Sequence, residues 1–133
     1  MHEKTIAEFR RAVENADATE VLSFFADDVE FKPCATTGSF KGLDTISAFV
    51  PILLRTWQNL RYQDELSNGD SVALVFTAGV DDVPVEGVDL LRFDDNGKIV
   101  EFAALVRPLN GLQALAQAMQ RAIPGYTSHA TTG

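Results

Sequence analysis

Strand parity isolates one carboxylate in this sequence. In the segment Val83–Phe93, Val85, Gly87, Asp89, Leu91 and Phe93 point to one side, and Glu86, Val88, Leu90 and Arg92 to the other, because successive residues of a strand face opposite ways. Asp89 thus sits mid-way along an otherwise apolar face, beside a glycine expected to leave open space. Desolvation disfavours a charged carboxylate, so the group is expected to titrate above its ordinary range. A carboxyl poised near neutral pH can give or take a proton. The same pattern fits a misjudged face, or a buried Asp satisfied by a backbone or hydroxyl donor, and parity leaves these readings open. In Leu60–Leu66, Tyr62 and Asp64 share parity with Leu60 and Leu66; Tyr62 offers a hydroxyl to a pocket, while Asp64 is expected in water near a strand end. In the last strand, Val100, Phe102, Ala104 and Val106 form a fully apolar face, with Glu101 and Arg107 expected outside as solvated or interface charges.

Other chemistries find little support. His2 and His129 fall in the presumed flexible ends, which argues against a His-based catalytic or metal site. Cys34 follows Pro33 in a loop and reads as a buried or idle thiol rather than a nucleophile. The glycines are scattered among turns, with no phosphate-binding loop, and the acidic pairs Asp27-Asp28 and Asp94-Asp95 fall at element boundaries, where capping and turn duty are usual. One cysteine allows no intrachain disulfide. Eleven Lys and Arg against nineteen Asp and Glu give a net charge of −8, an unfavourable field for nucleic acid or an anionic membrane. The charged start of the chain lacks the apolar stretch of a secretory signal. The apolar stretches Ile46–Leu54 and Val100–Val106 are well short of the ~20 residues that cross a bilayer. A cytoplasmic, cofactor-free and metal-free protein is expected, with a free thiol suited to a reducing compartment.

The 133 residues bound the chain to one domain, and 46% hydrophobic residues can build its core. Residues 1–123 are read as that domain, and 124–133, small and polar, as a loose tail. Ile6, Phe9, Arg10, Val13 and Ala16 recur at helical period after a capping Thr5. Asn15–Asp17 breaks this helix and Thr19–Leu22 starts a short second one. Val29–Pro33 alternates as a strand, and Asp44 caps a third helix whose apolar face runs from Ile46 to Trp57, kinked or broken at Pro51. Four strands follow, over Leu60–Leu66, Ser71–Val80, Val83–Phe93 and Lys98–Arg107, joined at Asn68-Gly69, Asp81-Asp82 and Asp94–Gly97. Pro108 stops the sheet and Leu109–Met119 closes the fold as a helix. Helices first and antiparallel strands afterwards make an α+β pattern, a curved sheet whose open side the early helices cover.

Phe24–Phe31, Lys41-Gly42 before the third helix, and Val88–Phe93 followed by Asn96–Ile99 resemble the nuclear transport factor 2-like superfamily, and within it the SnoaL-like group. The resemblance runs from about Ile6 to Met119. It implies a cone-shaped α+β barrel with a cystatin-like, curved antiparallel sheet, a deep apolar pocket for a small hydrophobic molecule, no cofactor, and a homodimer packed through outer sheet positions such as Val75, Thr77, Val88 and Leu90. The implied pocket is lined by Phe9, Phe31, Cys34, Val50, Leu54, Trp57, Tyr62, Phe76, Gly87, Phe102 and Ala104, with Asp89 as the proton-transfer group. Ketosteroid isomerase, a related enzyme, places its oxyanion-hole aspartate on Asp89, its partner tyrosine on Phe9 and its general base on Pro33, so one of its three groups is kept. Limonene epoxide hydrolase places its Asp-Arg-Asp set on Asp89, Gly87 and Ala104, again keeping one. SnoaL-type cyclases use a pocket carboxylate near the sheet end, and the last strand here offers none inward.

Three functions follow. One is a cofactor-free isomerase, cyclase or hydrolase in which Asp89 transfers a proton while Tyr62 and Trp57 position the substrate. The second is a binding or carrier module in which Asp89 bonds a polar group of the ligand. The third is a dimeric interaction domain whose interior is filled by its own side chains. The enzyme needs a second polar group within hydrogen-bond reach of Asp89.

Overall fold

The interior is organised by the helix that opens the chain. In the computed structural model, which describes residues 1–123, α1 spans Glu3–Glu14 and buries Ile6, Phe9, Ala12 and Val13; the stretch 124–133, expected as a tail, lies outside the described residues. His2 rather than Thr5 stands at the N-cap, with Glu3 in the first turn, where a carboxylate opposes the positive end of the helix dipole. Ala16, expected in the apolar stripe, is exposed beyond the helix end with φ 53°. Asp17 then caps α2 (Ala18–Leu22), its carboxylate accepting from the Glu20 N–H at 3.1 Å.

The strands are β1 (Phe25–Lys32), β2 (Phe40–Lys41), β3 (Gln58–Asn68), β4 (Ser71–Val80), β5 (Val83–Phe93) and β6 (Ile99–Arg107). They form one open sheet in the order β2-β1-β6-β5-β4-β3. The last four run antiparallel as expected, but β1 pairs parallel to β6, so the sheet is mixed and does not close into a barrel. The parity of β5 holds: Val85, Gly87, Asp89, Leu91 and Phe93 are all buried. On β4, Val72, Leu74 and Phe76 share that interior. Each such fully buried side chain contributes roughly 1.5–3 kcal/mol through area removed from water.

Two of the sheet's register shifts change the expected faces. A register shift between Arg92 and Phe93 pairs Phe93 with Ile99 and Arg92 with Glu101, so Ile99 takes the inward position expected of Val100. A second shift, between Tyr62 and Asp64, leaves Leu66 58% exposed on the outer face. Asp64 is exposed as expected, but at this mid-strand bulge rather than at a strand end. Asp27 and Asp28 lie exposed inside β1, not at its boundary, where the register to β6 is irregular.

The hairpin from β3 turns on Gly69-Asp70, one place beyond the Asn-Gly pair. Asp81 and Asp82, with φ 49° and 67°, make the next turn without glycine. The Asp94 carboxylate accepts from the Asn96 and Lys98 N–H groups, which is the expected turn duty.

Helix α3 (Leu43–Thr56) starts after Gly42, whose φ of 93° suits glycine, and runs through Pro51 without a break. Proline's φ is helical and it costs one intrahelical bond, a loss that the burial of Ile46, Val50 and Leu54 along the same helix outweighs. Helix α4 (Leu109–Ala122) seats Ala114, Leu115 and Met119 against Val80 in a second, smaller cluster. Gly111 permits this approach, since a Cβ there would stand 2.3 Å from Val85. No helix among the described residues is long and apolar enough to cross a membrane.

Candidate active site

Asp89 lies opposite Leu74 on β4 and Ala104 on β6, with hydrocarbon to either side. It is 6% exposed and, among the described residues, the one buried charged side chain. The Tyr62 hydroxyl reaches it from β3, two strands away, and donates to Asp89 Oδ2 at 2.7 Å. Burial pushes the Asp89 carboxyl up to about 7, against a smaller downward pull from the Tyr62 hydrogen bond. Tyr62 is held well above its ordinary value, first by burial and then by the neighbouring Asp89 charge. Near neutral pH the phenol therefore keeps its proton while the carboxyl is populated in both forms, in an apolar setting.

Tyr62 is itself held by α1. Its N–H donates to Glu14 Oε2 at 2.8 Å, and Arg10 Nη2 donates to its carbonyl at 3.3 Å. The Arg10 guanidinium also lies 5.8 Å from the centre of the Tyr62 ring, and its Nη1 donates to Glu65 Oε1 at 2.6 Å. Neither anchor was expected as functional; Arg10 read as part of the apolar stripe and Glu14 was not singled out. Their spacing of four residues, one helical turn, was the available signal.

The expected lining residues do not share one environment. Phe9, Phe31, Val50, Leu54, Phe76 and Phe102 are buried members of the main core, where Phe102 packs against Phe9 at 6.2 Å and stacks on Phe31 at 5.2 Å. Trp57 and Ala104 are half-buried at the edge of that core. Trp57 meets Phe76 edge-on at 5.3 Å, and Phe76 meets Tyr62 at 6.1 Å, which links Trp57 to the Tyr62–Asp89 pair. Cys34 packs with the second cluster. Burial, reinforced by the Asp89 charge, raises its thiol to about 12 and leaves it protonated at neutral pH. The open space expected at Gly87 is already taken: a Cβ there would stand 2.3 Å from the Phe76 ring and 2.8 Å from the Leu105 carbonyl. Gly87 admits Phe76 rather than a ligand.

Glu101 and Arg107 lie on the outer face, paired with Arg92 at 2.9 Å and Glu86 at 2.5 Å. His2 is not in a loose end; its ring stacks on Phe93 at 4.2 Å and bonds to Asp70 at 2.8 Å, while His129 lies outside the described residues. Among the described residues, no group of three or more His, Cys, Asp or Glu side chains is placed to hold a metal ion.

An open mixed sheet packed on helices, with a single carboxyl turned into its apolar face, places the molecule in the cystatin-like class of α+β folds. The chain belongs to the SnoaL-like domain family, whose model matches residues 6–102. It is similar to an uncharacterised cystatin-like protein from Silicibacter pomeroyi, at 28% identity over 89% of this chain and 84% of that one, with a TM-score of 0.85. A steroid delta-isomerase from Pseudomonas aeruginosa is 31% identical over 91% of this chain and 90% of its own, also with a TM-score of 0.85. The fold is shared with a putative SnoaL-like polyketide cyclase from Shewanella denitrificans, at 15% identity, covering 90% of this chain and 97% of that one with a TM-score of 0.66. No curated protein matches the chain.

Proposed function

We propose that the chain is a cofactor-free proton-transfer enzyme of the isomerase, cyclase or hydrolase type, acting on a small hydrophobic molecule. The observation that carries this reading is the Tyr62–Asp89 hydrogen bond within an apolar interior. Asp89 moves the proton, because its carboxyl is populated in both forms near neutral pH. Tyr62 holds the carboxyl in place and weakens its basicity. Half-buried Ala78, Ala104, Val106 and Trp57 edge the same core and supply the small and flat surfaces against which a planar apolar substrate would lie. The steroid delta-isomerase likeness adds support for proton transfer at carbon. Phe9 and Pro33 carry no hydroxyl or carboxylate, so the present chemistry runs through Asp89 rather than through a separate base. The protein works as a homodimer packed through the outer sheet face, where Leu66, Leu90 and Leu105 are 58%, 43% and 54% exposed. Its compartment is a reducing one such as the cytoplasm, which suits free Cys34.

The test is solvent-deuterium exchange into a panel of unsaturated ketones, polyketide-like esters and epoxides, followed by NMR. Exchange or turnover by the native chain is expected to fall roughly 10²–10⁴-fold in Asp89→Asn. Full activity in that variant overturns Asp89 as the proton carrier. A second reading, a binding or carrier module, is favoured by Asp89 being the sole buried charged side chain among the described residues. It predicts saturable binding of the same compounds with no exchange at all.

A further inference from the structure

The edge strand β3 has an unusual arrangement where it carries Tyr62. Tyr62 precedes a bulge, since its partner is Phe76 while Asp64 already pairs with Val75. At an edge strand, the N–H and C=O groups that face away from the neighbouring strand have no ladder partner. Both such groups of Tyr62 are satisfied by side chains of α1: the N–H by Glu14 at 2.8 Å and the carbonyl by Arg10 at 3.3 Å. Arg10 and Glu14 stand four residues apart, so both project from one face of the helix, a turn apart. They form no ion pair with each other; each takes one side of the same tyrosine. Arg10 also covers the ring and is braced from outside by Glu65. A side-chain clamp thus replaces the missing strand at the residue whose hydroxyl must span two strands to reach Asp89. A shift of about 1 Å in the Tyr62 backbone would carry the hydroxyl out of the 2.5–3.0 Å range of an O–H···O bond.

We infer that Arg10 and Glu14 are positioning residues that set the Tyr62–Asp89 hydrogen bond and, through it, the pH at which Asp89 changes protonation state. This rests on the site reading given under Proposed function, but it concerns the ligand-free protein. The ionisable groups around the pair are few. Asp89 faces Tyr62 from β3 and the Cys34 thiol from the β1–β2 loop. Tyr62 faces Glu14 and Arg10 from α1. The clamp's two charges act on the phenol in opposite directions, Glu14 upward and Arg10 downward, so its main effect on the pair comes through geometry. Because the bond to Tyr62 lowers the Asp89 titration, loosening the clamp must raise it.

The experiment is a carbon-13 NMR titration of the Asp89 carboxyl without any ligand, in the native chain, Tyr62→Phe, Glu14→Ala, Glu14→Gln and Arg10→Met. Tyr62→Phe defines the full upward shift. Glu14→Ala and Arg10→Met are each expected to move Asp89 upward by at least half that amount. Glu14→Gln keeps an oxygen that accepts from the Tyr62 N–H and is expected to leave the titration near native. Unchanged Asp89 titration in both Glu14→Ala and Arg10→Met, with Tyr62→Phe shifted, overturns the inference. So does a Glu14→Gln titration shifted as far as that of Glu14→Ala. If one clamp variant fails to fold, the other decides the question. The titration needs no substrate, so the clamp can stand even where Asp89→Asn retains activity, and it can fail while the enzyme reading holds.

Discussion

Asp89 makes the folded state sensitive to pH in a direction opposite to most carboxylates. Folded, it keeps a proton up to about pH 7; in an unfolded chain it ionises near about pH 4. Between these values the folded state binds more protons, so stability falls as pH rises. The favourable contribution is fully present below the lower value and is lost through the upper one. Its full span is a few kcal/mol. Asp89→Asn removes the titration and still accepts the Tyr62 hydroxyl. Urea denaturation across this range is therefore expected to show a declining midpoint for the native chain and a flatter one for the variant. An equal decline in both would assign the effect to other groups. At this scale the sequence was informative about Asp89, because parity needs only one strand. It named Tyr62 as a hydroxyl on the same interior but could not pair the two. Their meeting depends on the lateral order of three strands and on how far a phenol reaches across them.

At the scale of elements, β4 and β5 were legible end to end, and the helices to within a few residues, because alternation and helical period are local properties. The errors gathered at bulges. One extra residue reverses every side chain beyond it, which is why Ile99 displaced Val100 and why Leu66 turned outward. Gly87 shows a different failure. The absence of a side chain was visible, but the Phe76 ring that fills the space comes from β4. Gly87→Ala is expected to destabilise the protein by about 1–3 kcal/mol through overpacking, since both the ring and a backbone carbonyl stand in the way. A urea midpoint within error of the native value would show that Phe76 can swing aside and that the site is looser than its packing indicates.

For the whole molecule, the proposed homodimer would pack through the outer face of the sheet. Leu66 and Leu90 line a groove of about 580 Å³ there, bordered by Lys32 and the Arg92–Glu101 pair. Exposed leucines on a sheet face are a reason for a second surface to cover them. Sedimentation equilibrium is expected to give twice the chain mass for the native protein and a single chain mass for Leu90→Lys combined with Leu105→Lys. A native chain that sediments as a monomer rejects the dimer. The acidic balance, the absence of cysteine pairs, the α+β order of elements and the inward carboxyl were all decided by residue types and their local periods. Tertiary structure alone decided that β1 returns parallel beside β6, that Phe76 occupies the space over Gly87, that Tyr62 meets Asp89, and that α1 holds Tyr62 in place. Each of these joins residues far apart in the chain. A period of two or 3.6 shows which way a side chain points, and only the packed arrangement shows what it meets.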